Sequence, residues 1–148
     1  MDLAALIVSI AAAVIALAVA FIQRRTDHKL NQTNLESVYF NEIYKEYLIK
    51  RLPNARKYIY IDTSGMLKDT DKIRDELNNI RQDSLYYFYN DNIFYKKLKT
   101  KCQSLEDYLV TSLSNPLVGE EQTEFYNKLQ SELKELYRII NNKFLGKK

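Results

Sequence analysis

The chain has few residues that break or cross-link a backbone. Its 148 residues include three glycines, two prolines, one cysteine and no tryptophan. A single cysteine excludes an intrachain disulfide and fits a reducing compartment. The scarcity of glycine and proline favours long helices over a β fold with many turns. We therefore expect an all-α protein.

Sequence signatures of catalysis are also lacking. The chain has no glycine loop that would hold a phosphate, no nucleophile elbow and no zinc-ligand spacing. We interpret His28 as a solvated residue and Cys102 as a buried, inert thiol on the apolar face of its helix. Asp62, Asp69 and Asp71 are interpreted as residues at turns and helix starts, the alternative being Mg²⁺ binding or acid–base chemistry. We predict no enzyme activity, no cofactor and no metal.

Positive charge is only slightly in excess. The net charge is +3, and no basic run interleaved with aromatic residues stands out. A nucleic-acid partner is therefore not expected.

The first long feature that is present is an apolar run. Residues 3–22 contain no charge, proline or glycine, and Arg24 and Arg25 follow at once. At about 1.5 Å per residue, a helix of this length spans roughly the 30 Å hydrocarbon core of a bilayer. We predict a single-pass transmembrane helix whose bilayer partner includes anionic headgroups held by Arg24, Arg25 and Lys29. The positive-inside rule predicts an inner-membrane protein with its N-terminus outside and its C-terminal domain in the cytoplasm.

The alternative to an anchor is a cleaved secretory signal. The small residues Ala18, Val19 and Ala20 resemble a cleavage site. A signal, however, carries its positive charge before the apolar core, whereas here the arginines follow it. This order favours an uncleaved anchor.

One side of the predicted membrane helix carries small residues. At about 100° per residue they form a single stripe, which comprises Ala5, Ser9, Ala12, Ala13, Ala16 and Ala20. Small residues let two helix backbones approach closely, and packing drives helix association in lipid. The stripe predicts a homo-oligomer or a protein partner in the membrane or cytosol, and the alternative is chance spacing in an alanine-rich span.

The remaining chain is predicted to form a small antiparallel helical bundle. We divide the sequence into a transmembrane anchor (1–23), a basic and polar juxtamembrane segment (24–34), a cytosolic helical bundle (35–145) and a basic tail (146–148). Because no glycine or proline occurs between Met1 and Pro53, one interpretation is that the membrane helix runs on through residues 26–34 into a helix that ends near Arg51, and the alternative is a local break at residues 31–34. The apolar residues of the next helix recur every four positions, at Leu35, Tyr39, Ile43 and Tyr47, and Phe40 and Tyr44 lie beside them on the same face.

Four further helices are predicted. Residues 53–61 are assigned to a short helix, although 58–61 also fit a strand. A helix capped at Thr70 and Asp71 follows, with Ile73, Leu77, Ile80, Ser84 and Tyr87 on its inner side. The next runs over about 93–113, with Phe94, Leu98, Cys102, Leu105 and Leu109 inward. The last has the clearest pattern, with Phe125, Leu129, Leu133, Leu136, Ile140 and Phe144 spaced by three or four.

The chain has twelve tyrosines, some of which must fill the core with their hydroxyls at its rim. Residues 86–89 place aromatic rings all around one helical turn, which is more than a single core face can bury. We predict that Tyr86 or Tyr89 belongs to a partner surface, the alternative being simple exposure on a small bundle.

In layout and composition the chain resembles a broad group of small, uncharacterised bacterial single-pass membrane proteins found near phage-defence genes. The resemblance rests on the apolar first segment, the Arg24-Arg25 stop, and a helical part rich in Tyr, Asn and Lys that includes residues 52–59. It carries over no site residue. It implies a membrane effector or accessory subunit, and the alternatives are a tether for a cytosolic complex and a membrane-bound enzyme using Asp62, Asp69 and Asp71.

Overall fold

The computed structural model describes the backbone of residues 3–146 and the side chains of residues 15–146. The chain forms two compact units, residues 1–38 and 39–148. Both are helical over most of their described length, so the all-α expectation is confirmed apart from one two-stranded hairpin.

The first unit is a single helix. Helix α1 extends over Leu3–Tyr39 and therefore ends one residue into the second unit. The helix therefore continues through residues 26–34, as one of the two interpretations predicted, and the alternative of a break at residues 31–34 is wrong. Thr33 donates its hydroxyl to the Lys29 carbonyl at 2.9 Å, as Thr26 does to the Ile22 carbonyl at 3.0 Å. These hydroxyls are satisfied within the helix and do not start a new one.

The second unit begins with two π-helical turns, Phe40–Tyr44 and Tyr47–Arg51. In each, a backbone N–H reaches back five residues: that of Lys45 to Phe40 and that of Leu52 to Tyr47. These wider turns explain how residues spaced by four along the chain stay on one face over several turns, which an α-helix does not allow. Four residues advance an α-helix by about 40° beyond a full turn, so three such steps drift by about 120°.

Because a π turn contains more residues than an α turn, the two π turns cancel that drift and determine which residues are buried. Phe40 packs against the core, and Tyr44, Leu48 and Leu52 lie within it, although each follows the last by four residues. The predicted face is therefore confirmed in part. Tyr44 and Tyr47 are fully buried and Tyr39, Phe40 and Ile43 are half-buried, but Leu35 is 59% exposed.

Helix α2, Leu52–Arg56, is shorter than predicted, and the assignment of residues 53–61 to one helix is wrong. Strand β1, Tyr60–Ile61, pairs antiparallel with β2, Leu67–Lys68, in the register Tyr60–Lys68 and Ile61–Leu67. Strand β2 was not predicted because two residues are too few to show an alternating pattern.

The hairpin turn is held by Asp62. Its Oδ1 accepts the backbone N–H groups of Ser64 and Met66, each at 2.9 Å. Gly65 has φ +82° and packs so closely on the loop before the last helix that the Leu117 N–H donates to its carbonyl at 2.8 Å. The turn thus closes on itself and docks onto a second loop.

Four helices complete the unit: α3 (Asp71–Asp83), α4 (Leu85–Asn90), α5 (Asn92–Ser112) and α6 (Glu120–Phe144). Their predicted inner residues are buried, except that Phe144 is half-buried. Thr70 precedes α3 as expected, but its side chain makes no capping hydrogen bond. Asp91 does cap α5, since its carboxylate accepts the Phe94 N–H at 3.0 Å.

Helices α5 and α6 run antiparallel. Tyr108, late in α5, stacks on Phe125, early in α6, with ring centroids 5.6 Å apart. At the opposite end Phe94 contacts Phe144, with centroids at 5.7 Å. The short connection between the helices is the kind that joins antiparallel neighbours. This pairing brings the start of α5 beside the end of α6.

Candidate functional site

The predicted membrane-helix interface lies only partly among the described side chains. Ala5, Ser9, Ala12 and Ala13 fall outside them, whereas Ala16 and Ala20 are exposed on α1. The large apolar residues around them are also exposed, including Leu17 at 72% and Phe21 at 63%. Among the fully described residues, no helix is long and apolar enough to cross a membrane.

The predicted headgroup residues follow on the same helix. Arg24, Arg25 and Lys29 are all exposed, as is His28. The guanidinium of Arg25 lies 5.4 Å from the centre of the Phe21 ring, a cation–π distance. All four side chains are therefore accessible to a ligand or a surface.

The three aspartates of the enzyme alternative serve local structure. Hydrogen bonds from the Ser64 hydroxyl and the Met66 N–H hold the pKa of Asp62 below its usual value. Asp69 occupies the left-handed region with φ 56°, and Asp71 pairs with Arg74 at 3.2 Å. In residues 15–146, no group of three or more histidine, cysteine or acidic side chains stands close enough to hold a metal ion.

Cys102 is fully buried, as predicted. Burial raises the pKa of its thiol to about 12, with a smaller opposing effect of Arg81. A thiol in this state is protonated at neutral pH and is a poor nucleophile.

The two tyrosines predicted for a partner surface have different surroundings. Tyr86 is 46% exposed and stacks on Tyr39, with ring centroids 4.9 Å apart. Tyr89 is 84% exposed and touches Phe88, with centroids at 4.9 Å. Between them, Tyr87 is buried and packs against Phe94. Tyr89 is thus the more accessible of the two.

A polar network joins the second π turn to α3. The hydroxyl of Tyr47 donates to Asp83, and Arg51 pairs with Glu76 at 2.7 Å. The Arg51 guanidinium also lies 4.2 Å from the centre of the Tyr47 ring. Burial, reinforced by the Asp83 carboxylate, raises the pKa of Tyr47. A tyrosine held neutral in this way secures packing and is no general base at neutral pH.

The most promising binding geometry lies between α5 and α6. An open cleft of about 580 Å³ contains Asp91 and Lys97 on the α5 side and Arg138, Asn142 and Lys143 on the α6 side. We call it the α5–α6 cleft. Ile93 stands at its rim with 72% exposure, and the buried Phe94 lies at its base.

Two of the lining residues form an ion pair. The Lys143 Nζ lies 3.0 Å from Asp91 Oδ2. Burial alone would raise the pKa of Asp91, but hydrogen bonds from the Phe94 N–H and from Lys143 outweigh it and hold that pKa below its usual value. Asp91 is therefore a carboxylate at neutral pH, and its negative charge is matched by Lys143.

The cleft was missed in the sequence, although a signal for its α5 side existed. Residues 96–101 read Lys-Lys-Leu-Lys-Thr-Lys, a local basic run that the mild net charge conceals. The α6 side carries no such signal. Arg138 and Asn142 reach the cleft only because α5 and α6 pack antiparallel.

No family model, curated protein or solved structure matches this chain. Its function is therefore inferred from its own residues.

Proposed function

We propose that the chain is a membrane-anchored interaction protein without enzymatic activity. In this proposal residues 3–22 span the bilayer as one helix, and the antiparallel helical bundle of residues 39–148 presents binding surfaces in the cytoplasm. The observation that supports it best is the uncovered apolar surface of α1. Ile15, Phe21 and Ile22 are each 63% exposed, and Leu17 is 72% exposed.

Such a surface is costly in water. Each large aliphatic or aromatic side chain gains about 1.5–3 kcal/mol when it is fully buried in an apolar phase. In the described part of α1, every side chain from residue 15 to residue 35 is exposed to solvent. Lipid or a second apolar helix would provide the missing cover.

The charges that follow the run support one orientation. Arg24, Arg25 and Lys29 are exposed within the seven residues that follow Ile22, the end of the apolar run. Each would gain about 1 kcal/mol beside anionic lipid, and such residues remain on the cytoplasmic side. We place the protein in the inner membrane with the second unit in the cytoplasm.

Alkaline extraction and protease protection test the anchor. The chain is expected to stay in the membrane pellet after carbonate treatment, and protease is expected to degrade residues 39–148 only in inverted vesicles. Leu17→Lys/Ile22→Lys should release the chain, whereas the matched Lys45→Leu/Lys99→Leu variant should remain in the pellet. Release of the unmodified chain by carbonate would refute the proposal.

Assembly through the small-residue stripe is the second part of the proposal. Ala16 and Ala20 are exposed on α1 and leave the backbone accessible to a partner helix. In-cell crosslinking followed by mass spectrometry of the detergent-solubilised complex should show oligomers or a protein partner. Ala16→Leu/Ala20→Leu should abolish the crosslinks, while Leu17→Val should not.

A defence effector that damages the membrane on assembly is the concrete version suggested by the resemblance to proteins found near phage-defence genes. Several copies would be needed, because one helix encloses no pore. Induction with its trigger should lower membrane potential and stop growth. Unchanged potential and growth would exclude this version.

A tether is the second candidate function, and the self-contained core of residues 39–148 favours it. A tether needs only attachment. Replacing residues 1–23 with an unrelated leucine-rich anchor should leave a tether active, and it should inactivate an effector that assembles through its own helix.

A further inference from the structure

The charges around the α5–α6 cleft do not cancel. Three acidic residues border this face, and each is engaged: Asp91 with Lys143 at 3.0 Å, Glu135 with Arg138 at 2.8 Å, and Glu132 with Lys101 at 2.6 Å. Lys96 and Lys97 make no ion pair within the described part of the chain. The cleft face therefore keeps a positive excess that the fold does not neutralise.

One of these two lysines, Lys97, lies on the stripe of α5 that lines the cleft. Ile93, Lys97 and Thr100 recur at four and three residues, so they share a face at about 100° per residue. Lys97 lines the cleft together with Arg138 and also lines the shallow groove that continues beside Thr100 and Ser104. Positive charge and hydroxyl donors thus follow the same line.

The donors facing the cleft suit an oxyanion with several acceptor atoms. Lysine offers an ammonium with three N–H groups, arginine five N–H groups in a planar fork, and asparagine an amide. Arg138 uses one nitrogen on Glu135 and is 66% exposed, so its remaining N–H groups are accessible. A phosphate group accepts from all three side-chain types at once.

We propose that the α5–α6 cleft binds a phosphate group, with Lys97, Arg138 and Asn142 as its donors and Ile93 and Ile139 against the apolar part of the ligand. The volume of about 580 Å³ lies within the usual range of small-molecule sites. The phosphate belongs to a soluble phosphorylated metabolite or to a phospholipid headgroup. The site lies entirely within residues 39–148 and does not depend on the proposed anchor.

A nucleic acid suits this cleft less well. Single-stranded nucleic acid is bound by a basic groove combined with aromatic rings on which bases stack. The aromatic residue lining the cleft, Phe94, is only 6% exposed. The other lining residues are aliphatic or polar, so the cleft offers no exposed aromatic ring on which a base stacks.

Amide chemical-shift mapping tests the proposal on the isotopically labelled 148-residue chain in a non-ionic detergent. Glycerol 3-phosphate is the soluble probe, glycerol its uncharged control, and monomeric dihexanoyl phosphatidylglycerol the lipid probe. We expect saturable shifts at Lys97, Arg138 and Asn142 with at least one phosphate probe and none with glycerol. Shifts with glycerol 3-phosphate alone identify a soluble ligand, and stronger shifts with the lipid identify a headgroup.

Paired variants separate a built site from general attraction. Lys97→Gln/Arg138→Gln should weaken binding about tenfold or more, while Lys45→Gln/Lys99→Gln removes the same charge from exposed positions outside the lining and should change it less than twofold. Because Lys97 and Arg138 are exposed, the fold should persist, which circular dichroism checks. The absence of cleft shifts with both phosphate probes, or equal losses in the two variants, would overturn the proposal. So would an oligonucleotide that displaces bound probe equally well from both variants.

Discussion

The hydroxyl of Tyr137 donates a 2.7 Å hydrogen bond to the backbone carbonyl of Leu48. This bond replaces a backbone hydrogen bond that is missing in the second π turn. The Leu52 N–H, which an α-helix would direct to Leu48, donates to Tyr47 instead. The next residue, Pro53, has no N–H to offer. A side chain of α6 thus satisfies a carbonyl that its own helix leaves without a donor.

Tyr137→Phe is therefore expected to destabilise the second unit by about 1–2 kcal/mol, because it leaves a partly buried acceptor unmet. The thermal midpoint in non-ionic detergent should fall by about 4–8 °C for each kcal/mol. Tyr126→Phe, at another half-buried position of α6, is the control and should change the midpoint little. In a Pro53→Ala background, which restores an N–H, Tyr137→Phe should cost less. An equal cost in both backgrounds would contradict this explanation.

A second buried bond gives an asymmetric prediction. The Ser84 hydroxyl lies 2.6 Å from the Ile80 carbonyl and 2.8 Å from the Tyr44 hydroxyl. Since Ser84 has one proton and gives it to Ile80, Tyr44 must be the donor to Ser84. Burial raises the pKa of Tyr44, so this proton stays in place.

Ser84→Ala should destabilise the protein by about 1–3 kcal/mol, because it leaves the buried Tyr44 hydroxyl without a hydrogen-bond acceptor. Adding Tyr44→Phe to that variant should recover part of the lost stability, since the unpaired hydroxyl is then absent. Thermal unfolding of the two single variants and the double variant measures this. A double variant that is less stable than Ser84→Ala would show that Tyr44 has another acceptor.

The parts of this fold that the sequence predicts are those coded locally. In α6, Leu129, Leu133 and Leu136 are buried as their spacing indicates, because an amphipathic helix has the same period wherever it packs. The same holds for α3 and α5. The period of 3.6 residues did not predict the buried positions in the two π turns, because the backbone there has more residues per turn.

The missed features depend on the pairing of separate secondary-structure elements. The hairpin needed a two-residue partner strand, and the cleft needed Lys97 and Arg138 to meet across two helices. Neither pairing has a periodic signature. The residues of the proposed binding cleft were thus harder to find than the core of the second unit.

Acid should weaken the protein through Asp91. Its pKa is lowered in the folded state, so its contribution to stability is present above the unfolded pKa of about 3.9 and is lost as the pH falls through the lower folded value. The thermal midpoint of the unmodified chain should drop below about pH 4. Asp91→Asn should lower the midpoint at pH 7 and flatten this acid drop, because it removes the Lys143 pair. The control is Asp107→Asn, at an exposed position of α5, in which the thermal midpoint should fall in acid as it does in the unmodified chain. An undiminished fall in Asp91→Asn would contradict the role given to Asp91.

Gly65 offers the sharpest test of how the hairpin docks. A Cβ added there would lie 2.8 Å from the Leu117 carbonyl oxygen and 3.2 Å from Pro116 Cβ, and φ is +82°. Gly65→Ala therefore combines backbone strain of about 1–2 kcal/mol with a clash against backbone, and a loss of about 2–4 kcal/mol is expected. Gly146→Ala is the matched control, because φ is +60° there but nothing lies within 4 Å of the added Cβ. It should show at most the strain term in thermal unfolding. Equal losses of stability in the two variants would mean that the added Cβ at residue 65 is accommodated by a small backbone shift. The contact with Leu117 would then not hold the hairpin in place.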